Sequence, residues 1–588
     1  MINQTTYYQK QIETHTALLD KVKSKHRVLS FARLFAFLLI PISWYLLDWG
    51  IVLLGIVVAE SALFVFLVNK WLDAKLLKEK HELYIELNSN ELKLIQGDWS
   101  SFEDGSEFKS GAHPYSNDMD LFGPKSVFQY LNRTVLPLGK VKLANTLAYG
   151  SANRVRNQEM IEEISKHILW AQQFIVESKV YLKEEQKQQS LKDLKEQDFN
   201  FSFVSILKWV LPVISITSIV LYNLDYLKFG QLLLIGMVVL SVIGSKLKIT
   251  NKWMHLLSNR SEKISALKAQ LELFHQLNLV SEEGKRYKEQ LFGNNGMQDG
   301  LRELEKIKIR SDYRMNAIVG LLLNYLFAWD FHLLDQSKKW HKQYADSIEL
   351  WEEWMGEVEV WISGAIYKYN RGETCFAEIS TSQEMMIHEL GHPFVATNKQ
   401  VCNDFHLKEG ESFLIITGPN MAGKSTYLRS VGLAIISANA GFPILAKSCV
   451  LPKYNLYSSM RTSDDLTVES SYFHAELTRL RFIMDGIERG EPTFVILDEI
   501  LKGTNSKDKE IGSAGFLEKL NRIGAKGIIA THDLSLTNLA STNASFRNVY
   551  FDSLIEEDEL FFDYKVRDGV CKNMNASFLL RKMNLVDA

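Results

Sequence analysis

"SFLIITGPNMAGKSTYLRSVGLAIISANA", residues 412–440, decides how the C-terminal part of this chain folds. Residues 412–417 form a short apolar run rich in isoleucine, as a buried strand requires, and residues 427–440 carry apolar side chains at helical spacing. Between them stands Gly418-x-x-x-x-Gly423-Lys424-Ser425, the pattern of a P-loop. Glycines let the backbone curl so that successive amides and a helix N-terminus face phosphate oxygens. Gly418, Pro419, Asn420, Met421, Ala422, Gly423, Lys424, Ser425 and Thr426 are therefore assigned to a triphosphate cradle. Lys424 would reach the β- and γ-oxygens, and the Ser425 hydroxyl would ligate Mg²⁺.

Working outward, "TFVILDEI" (493–500) is a buried-strand run that ends in two carboxylates. Asp498 suits the Mg²⁺ shell, and Glu499 suits orienting and deprotonating an attacking water. The next apolar run, "KGIIATHD", ends near His532, in reach of a γ-phosphate. Lys424, Glu499 and His532 are the expected catalytic side chains, with ATP and Mg²⁺ as ligands; together these elements describe an ATPase.

A competing motif lies upstream. His388-Glu389-x-x-His392 has the spacing of a helical zinc-peptidase site. Gly391 within it and Pro393 directly after it oppose the helix such a site needs. A membrane zinc peptidase stays as an alternative.

The chain has 588 residues, enough for two to four domains, and a net charge of −3, so no global basic field advertises nucleic acid. Its four cysteines form no CxxC pair, as expected of reduced thiols in a cytosolic compartment. Residues 28–47 and 51–68, then 203–222 and 229–245, are apolar runs near the length that crosses a bilayer. They read as two membrane hairpins. Asp48, Asp225 and Lys228 sit in the short connections, while Lys21, Lys23, Arg27, Lys70, Lys75, Lys246 and Lys248 flank the other ends, which places the rest of the chain in the cytoplasm. Glu60, inside the second run, is expected to hydrogen-bond within the helices. Four core helices of a soluble protein are the alternative. Residues 73–202 and 248–385 are rich in Lys, Glu, Leu and Gln at helical spacing.

"TGPNMAGKSTYLR", "DDLTVESSYFHAEL", "LDEILKGTNSKDKE" and "ATHD" resemble, in order and spacing, the ATPase domain of the MutS family of DNA mismatch repair proteins. "HELGHPFVATNKQVCNDFHL" resembles that domain's lead-in, and "NDMDLFGPKSVFQYLNRTVLPLGKVKLANTL" (117–147) resembles the start of the family's helical core and lever. The resemblance implies an α/β P-loop ATPase domain of MutS/ABC type preceded by a mostly α-helical lever region, to which the apolar runs add two transmembrane helical hairpins. The implied organisation is a cytoplasmic N-terminal helix (1–27), hairpin 1 (28–70), a cytoplasmic helical region (71–202) with a core-like segment at 117–150, hairpin 2 (203–247), lever (248–385) and ATPase domain (386–588). It also implies a homodimer with composite sites, Ser471 meeting the partner's γ-phosphate in trans. Departures are a missing mismatch-recognition domain and Leu501-Lys502-Gly503-Thr504 where the family has Gly-Arg-Gly-Thr. The expectation is an integral membrane, MutS-like ATPase acting on branched or mismatched DNA, or else remodelling a non-DNA membrane or protein partner. Half of an ABC-type transporter is a further alternative, weakened by the lack of an LSGGQ-like signature.

Overall fold

In the computed structural model, residues 2–47, 50–182, 190–199, 201, 203–293, 296–314, 316–461, 472–556 and 559–571 are described. A helical N-terminal region precedes a C-terminal unit of mixed α/β sheets. The helices of eleven residues or more before the sheets are α1 (Ile2–Leu46), α2 (Ile51–Ile95), α3 (Pro137–Tyr149), α4 (Arg154–Ser165), α5 (Ile168–Tyr181), α6 (Val204–Asn223), α7 (Phe229–Gly244), α8 (Leu247–Asn259), α9 (Ser261–Gln276), α10 (Glu282–Phe292), α11 (Met297–Arg314), α12 (Ala317–Phe327), α13 (Trp329–Tyr344) and α14 (Ile348–Arg371).

The first apolar pair belongs to helices longer than the runs themselves. α1 and α2 have 45 residues each, about 67 Å at 1.5 Å per residue. They lie antiparallel, cross-linked by Trp71 donating to Ser30 Oγ at 2.9 Å and by Ser43 donating to Glu60 at 2.6 Å. Glu60 thus has the hydrogen-bond partner expected of it; Asp48 lies outside the described residues. Toward the tip the hairpin turns Phe31, Phe35, Tyr45 and Ile51 outward, whereas its base packs on the helical body through α5.

Among the described residues, α1, α2 and α6 are long and apolar enough to cross a membrane, and two bent pairs, α7–α8 (56°) and α12 with the helical stretch Trp329–Arg371 (79°), raise the number to five if each is one span. α12 is new relative to the sequence reading, which placed residues 317–327 inside a helical lever. Its eleven residues fall short of a span, so a window of that length dilutes them with the charged flanks.

α14 is the central strut of the helical body. Its Trp351, Met355, Val358, Trp361, Ile362 and Ala365 are buried, and it packs on α3, α4 and α5. At its C-terminal end a buried network joins three elements. Arg133 donates to both Glu91 oxygens at 2.5 and 2.9 Å, Asn370 donates to Glu91 at 2.8 Å, and Tyr8 donates to Asn370 at 2.6 Å.

The strands are β1 (Glu378–Ile379), β2 (Met385–Leu390), β3 (Asn403–Leu407), β4 (Phe413–Thr417), β5 (Ser448–Leu451), β6 (Asn455–Ser459), β7 (Thr493–Asp498), β8 (Lys526–Ala530), β9 (Phe546–Phe551), β10 (Leu554–Glu556), β11 (Glu559–Phe561) and β12 (Val566–Asp568). Helices α15 (Lys424–Ala440), α16 (Tyr472–Ile487) and α17 (Ser506–Arg522) accompany them. The main sheet runs β12-β9-β4-β8-β7-β6, parallel from β9 to β6. β4 and β8 are buried along their whole length, which is why they read as unbroken apolar runs. A four-stranded sheet, β1-β5-β2-β3, stands beside it. The 117–120 segment docks on this unit: Asp118 accepts from Ser458 at 2.6 Å and from the Arg461 amide at 2.9 Å.

Candidate functional site

The zinc reading fails on backbone geometry. His388 and Glu389 lie on strand β2, not on a helix, and Glu389 has a φ of +52° at an irregularity of the β2–β3 pairing. His388 is half-exposed, while His392 lies partly buried beyond the strand end, where desolvation and the nearby Arg429 and Arg371 lower its pKa to about 4. The helical face that would aim both imidazoles at one ion does not exist here.

The P-loop residues instead converge with the two strand-end carboxylates. The chain leaves β4 at Gly418 (φ +150°), and a Cβ there would stand 2.7 Å from the Phe551 carbonyl, so only glycine fits. Met421 (φ +67°) and Gly423 (φ +101°) complete the curl, Ala422 is buried beneath it, and α15 begins at Lys424. The Lys424 ammonium donates to the carbonyls of Gly418 and Pro419 at 2.8 and 2.9 Å. Burial lowers its pKa, against the pull of Glu499 and Asp498.

Ser425 donates to Asp498 at 2.7 Å. A hydroxyl and a carboxylate side by side at a cavity floor are the hard-oxygen donors Mg²⁺ takes, usually beside waters and substrate phosphates, so the donor set fits that ion. Neighbouring carboxylates are shifted in opposite directions. Burial raises the Asp498 pKa despite the Ser425 hydrogen bond. The His532 contact at 2.9 Å leads in holding Glu499 down to about 2, with Lys502 assisting. His532 Nε2 also lies 2.6 Å from Asn420 Oδ1 and 3.3 Å from Lys424 Nζ.

Above this floor opens a cavity of about 1000 Å³, to which Asn420, Met421, Gly423, Lys424, Ser425, Thr426, Asp498 and Glu499 all contribute. Its far wall is built from residues the sequence did not single out: the 398–401 segment, Phe562 and Tyr564. Aromatic rings facing polar backbone suit a flat heteroaromatic base, and the size is that of a ligand pocket. Arg371, the last residue of α14, donates to Val395 O at 3.2 Å and Gln400 Oε1 at 3.1 Å, so the central strut grips the cavity wall.

Glu476 is a second residue without a sequence signal for its role. Buried on α16, its carboxylate accepts the backbone N–H of Leu501 at 2.5 Å and of Lys502 at 3.0 Å. The turn it holds is strained, with φ +51° at Glu499 and +60° at Leu501. Lys502, where an Arg was expected, stands 3.4 Å from Glu499. Ser471 lies outside the described residues.

Residues 414–583 match the family model described as MutS domain V. The DNA mismatch repair protein MutS of Thermotoga neapolitana is 34% identical over 205 residues, 34% of this chain and 25% of that protein. Its counterpart from Geobacillus sp. (strain WCH70) is 29% identical over 234 residues, 39% of this chain and 27% of that protein. The chain spans about a quarter of the length of the curated relatives it matches. These likenesses support a MutS-type ATPase domain in the C-terminal unit.

Proposed function

We propose that this protein is a membrane-anchored, MutS-like ATPase, in which ATP closes a homodimer across two composite sites and the helical body carries that closure to the α1–α2 and α6–α7 hairpins. The observation that carries the reading is the meeting of Lys424, the Ser425–Asp498 pair and the Glu499–His532 pair under one cavity. Lys424 binds the phosphates; Ser425 and Asp498 would hold Mg²⁺, which supplies charge neutralisation there. Glu499 orients the water. At a pKa of about 2 it is a weak base, and its basicity rises when His532 turns from it toward phosphate. Ser471 would complete the partner's site.

The load is a membrane or protein partner. Support comes from adjacent residues: Arg371 grips the cavity wall, while Asn370 bonds Tyr8 of α1 and Glu91 of α2. In the relatives the printed name assigns DNA mismatch repair, and DNA is the alternative load here. The test uses full-length protein in nanodiscs. Mg²⁺-dependent ATP hydrolysis lost in Lys424→Ala is the expected result; ATP neither bound nor hydrolysed, with the variant identical, refutes the ATPase. Glu499→Gln protein with ATP is then titrated with homoduplex, mismatched and branched DNA across salt. Binding no better than an empty nanodisc supports the membrane or protein load, and tight structure-selective binding overturns it.

A further inference from the structure

Among the described residues, the apolar helix α12 has no partner on its outer side, although the chain around it is charged. Its sequence, AIVGLLLNYLF, contains no ionisable side chain except the Tyr325 phenol. Ile318, Leu321, Leu322 and Phe327 are 48–72% exposed, a contiguous patch that water does not favour. Its inner side packs on α6 and α7. The Tyr325 ring sits so close to Gly236 that a Cβ there would lie 3.3 Å from its Cε2. Gly236 stands eight residues before the end of α7, about 12 Å along the helix, so α12 meets the hairpin well inside its apolar stretch.

The segments flanking α12 are tied to each other. Arg314, just before it, pairs with Asp330, just after it, at 2.6 Å. Ala328 turns the chain in the left-handed region (φ +47°), and the axis changes by 79°. Eleven residues span about 16 Å, half a hydrocarbon core of about 30 Å. The one amide on α12 is used internally: Asn324 accepts from the Asp330 N–H at 2.8 Å and donates to the Asp330 carboxylate at 3.2 Å. Lipid demands that economy of polar groups and water does not. The exit is bolted to the start of α6, where Ser205 and Lys208 contact Asp335 at 2.5 and 2.6 Å. In sequence, Lys246 and Lys248 follow α7 and Arg310 precedes α12, cations of the kind that anionic headgroups favour.

We propose that α12 is a third membrane element beside α6 and α7, entering the cytoplasmic leaflet without crossing it and binding the acyl chains of an anionic bilayer. The proposal rests on the reading of α6–α7 as a membrane hairpin. α12 then joins α11 to α13 through lipid, so a shift of the helical body is felt in the leaflet.

The test places an environment-sensitive fluorescent residue at Leu322, at Leu234 of α7 and at Asp346 beyond α13, one position at a time, in full-length protein in vesicles of phosphatidylglycerol and phosphatidylethanolamine. Quenching by acyl-chain nitroxide lipids is compared with quenching by aqueous iodide. Lipid quenching at 322 and 234, with iodide several-fold weaker at both than at 346, is the expected result. Lipid quenching at 234 with iodide quenching at 322 overturns the proposal and leaves the hairpin standing. Iodide quenching at both removes the hairpin as well. Val319, also exposed on α12, replaces Leu322 if that variant fails to fold.

Discussion

Glu476→Ala should slow ATP hydrolysis without weakening ATP binding. Leu501 and Lys502 both donate backbone N–H groups to the Glu476 carboxylate, at 2.5 and 3.0 Å. Hydrogen bonds to a charged, buried acceptor contribute about 1.5–3 kcal/mol each, so the clamp is worth about 3–6 kcal/mol. Against it stands backbone strain. Glu499 and Leu501 both hold positive φ without being glycine, at about 1–2 kcal/mol each, together about 2–4 kcal/mol. The clamp wins by a small margin, and removing it leaves the strain free to unwind the turn that aims Glu499. At the low end of that strain, about 2 kcal/mol, the competent turn is depopulated about 30-fold, below the 10²–10⁴ range expected for losing general-base assistance altogether. Steady-state hydrolysis should therefore show kcat down about 30-fold, with KM for ATP nearly unchanged because Lys424 and the P-loop are untouched. Adding Leu501→Gly should restore part of kcat, since glycine takes positive φ without penalty. A kcat within twofold of the parent, or no rescue by Leu501→Gly, would refute the reasoning.

Glu499→Gln should lower single-turnover hydrolysis by about 10²–10³, a barrier increase of about 3–4 kcal/mol, while retaining ATP in a filter-binding assay; lost binding would move Glu499 out of the water-orienting role. Glu91→Gln strips one partner from a buried ion pair whose arginine is 7% exposed, a loss of about 3–5 kcal/mol, seen as a lowered thermal midpoint in nanodiscs; an unchanged midpoint would show that Arg133 finds another partner. Glu359, buried on α14 and capping the start of α3 through the Val135 and Leu136 amides, has its pKa raised by burial to about 8. The folded state therefore holds a proton that the unfolded chain has released between pH 4.5 and 8, and stability falls as pH rises through that window. The thermal midpoint should decline from pH 5 to 8, with a shallower decline in Glu359→Gln.

The glycine curl with Lys424 and Ser425 was legible because the phosphate chemistry proposed for it dictates spacing: a strand, a glycine curl, a lysine and a hydroxyl must follow one another in a single stretch. Asp498, Glu499 and His532 were legible because parallel strands deliver their C-terminal ends to the same edge of a sheet. The residues that escaped act across sequence distance. Glu476 works through two amides on another element, Phe562 and Tyr564 reach the cavity from the chain's far end, and Arg371 belongs to a helix whose pattern shows only packing. The long apolar helices illustrate a different limit. An apolar run marks a stretch of composition, not where a helix ends, so α1 and α2 extend well beyond theirs, and α12 is too short for a span-length window to see.

The junction at the end of α14 explains why an ATP-binding unit and helices of this length occur in one chain. Two neighbouring residues face different tasks: Arg371 holds the segment that walls the cavity, and Asn370 is locked between Tyr8 and Glu91 at the base of the α1–α2 hairpin. In the proposed cycle a closing cavity would pull on the wall, the wall on Arg371, and the helix bearing it on the pair of 45-residue helices. A rigid rod converts a small rotation at its base into a displacement that grows with distance, so a tilt of about 5° over about 67 Å moves the tip by about 6 Å. The Arg133–Glu91 pair suits that transmission, because a buried bidentate ion pair keeps one geometry where an apolar contact could slide. A shift of one helical turn at the hairpin tip would thus require only a small motion around the proposed nucleotide site.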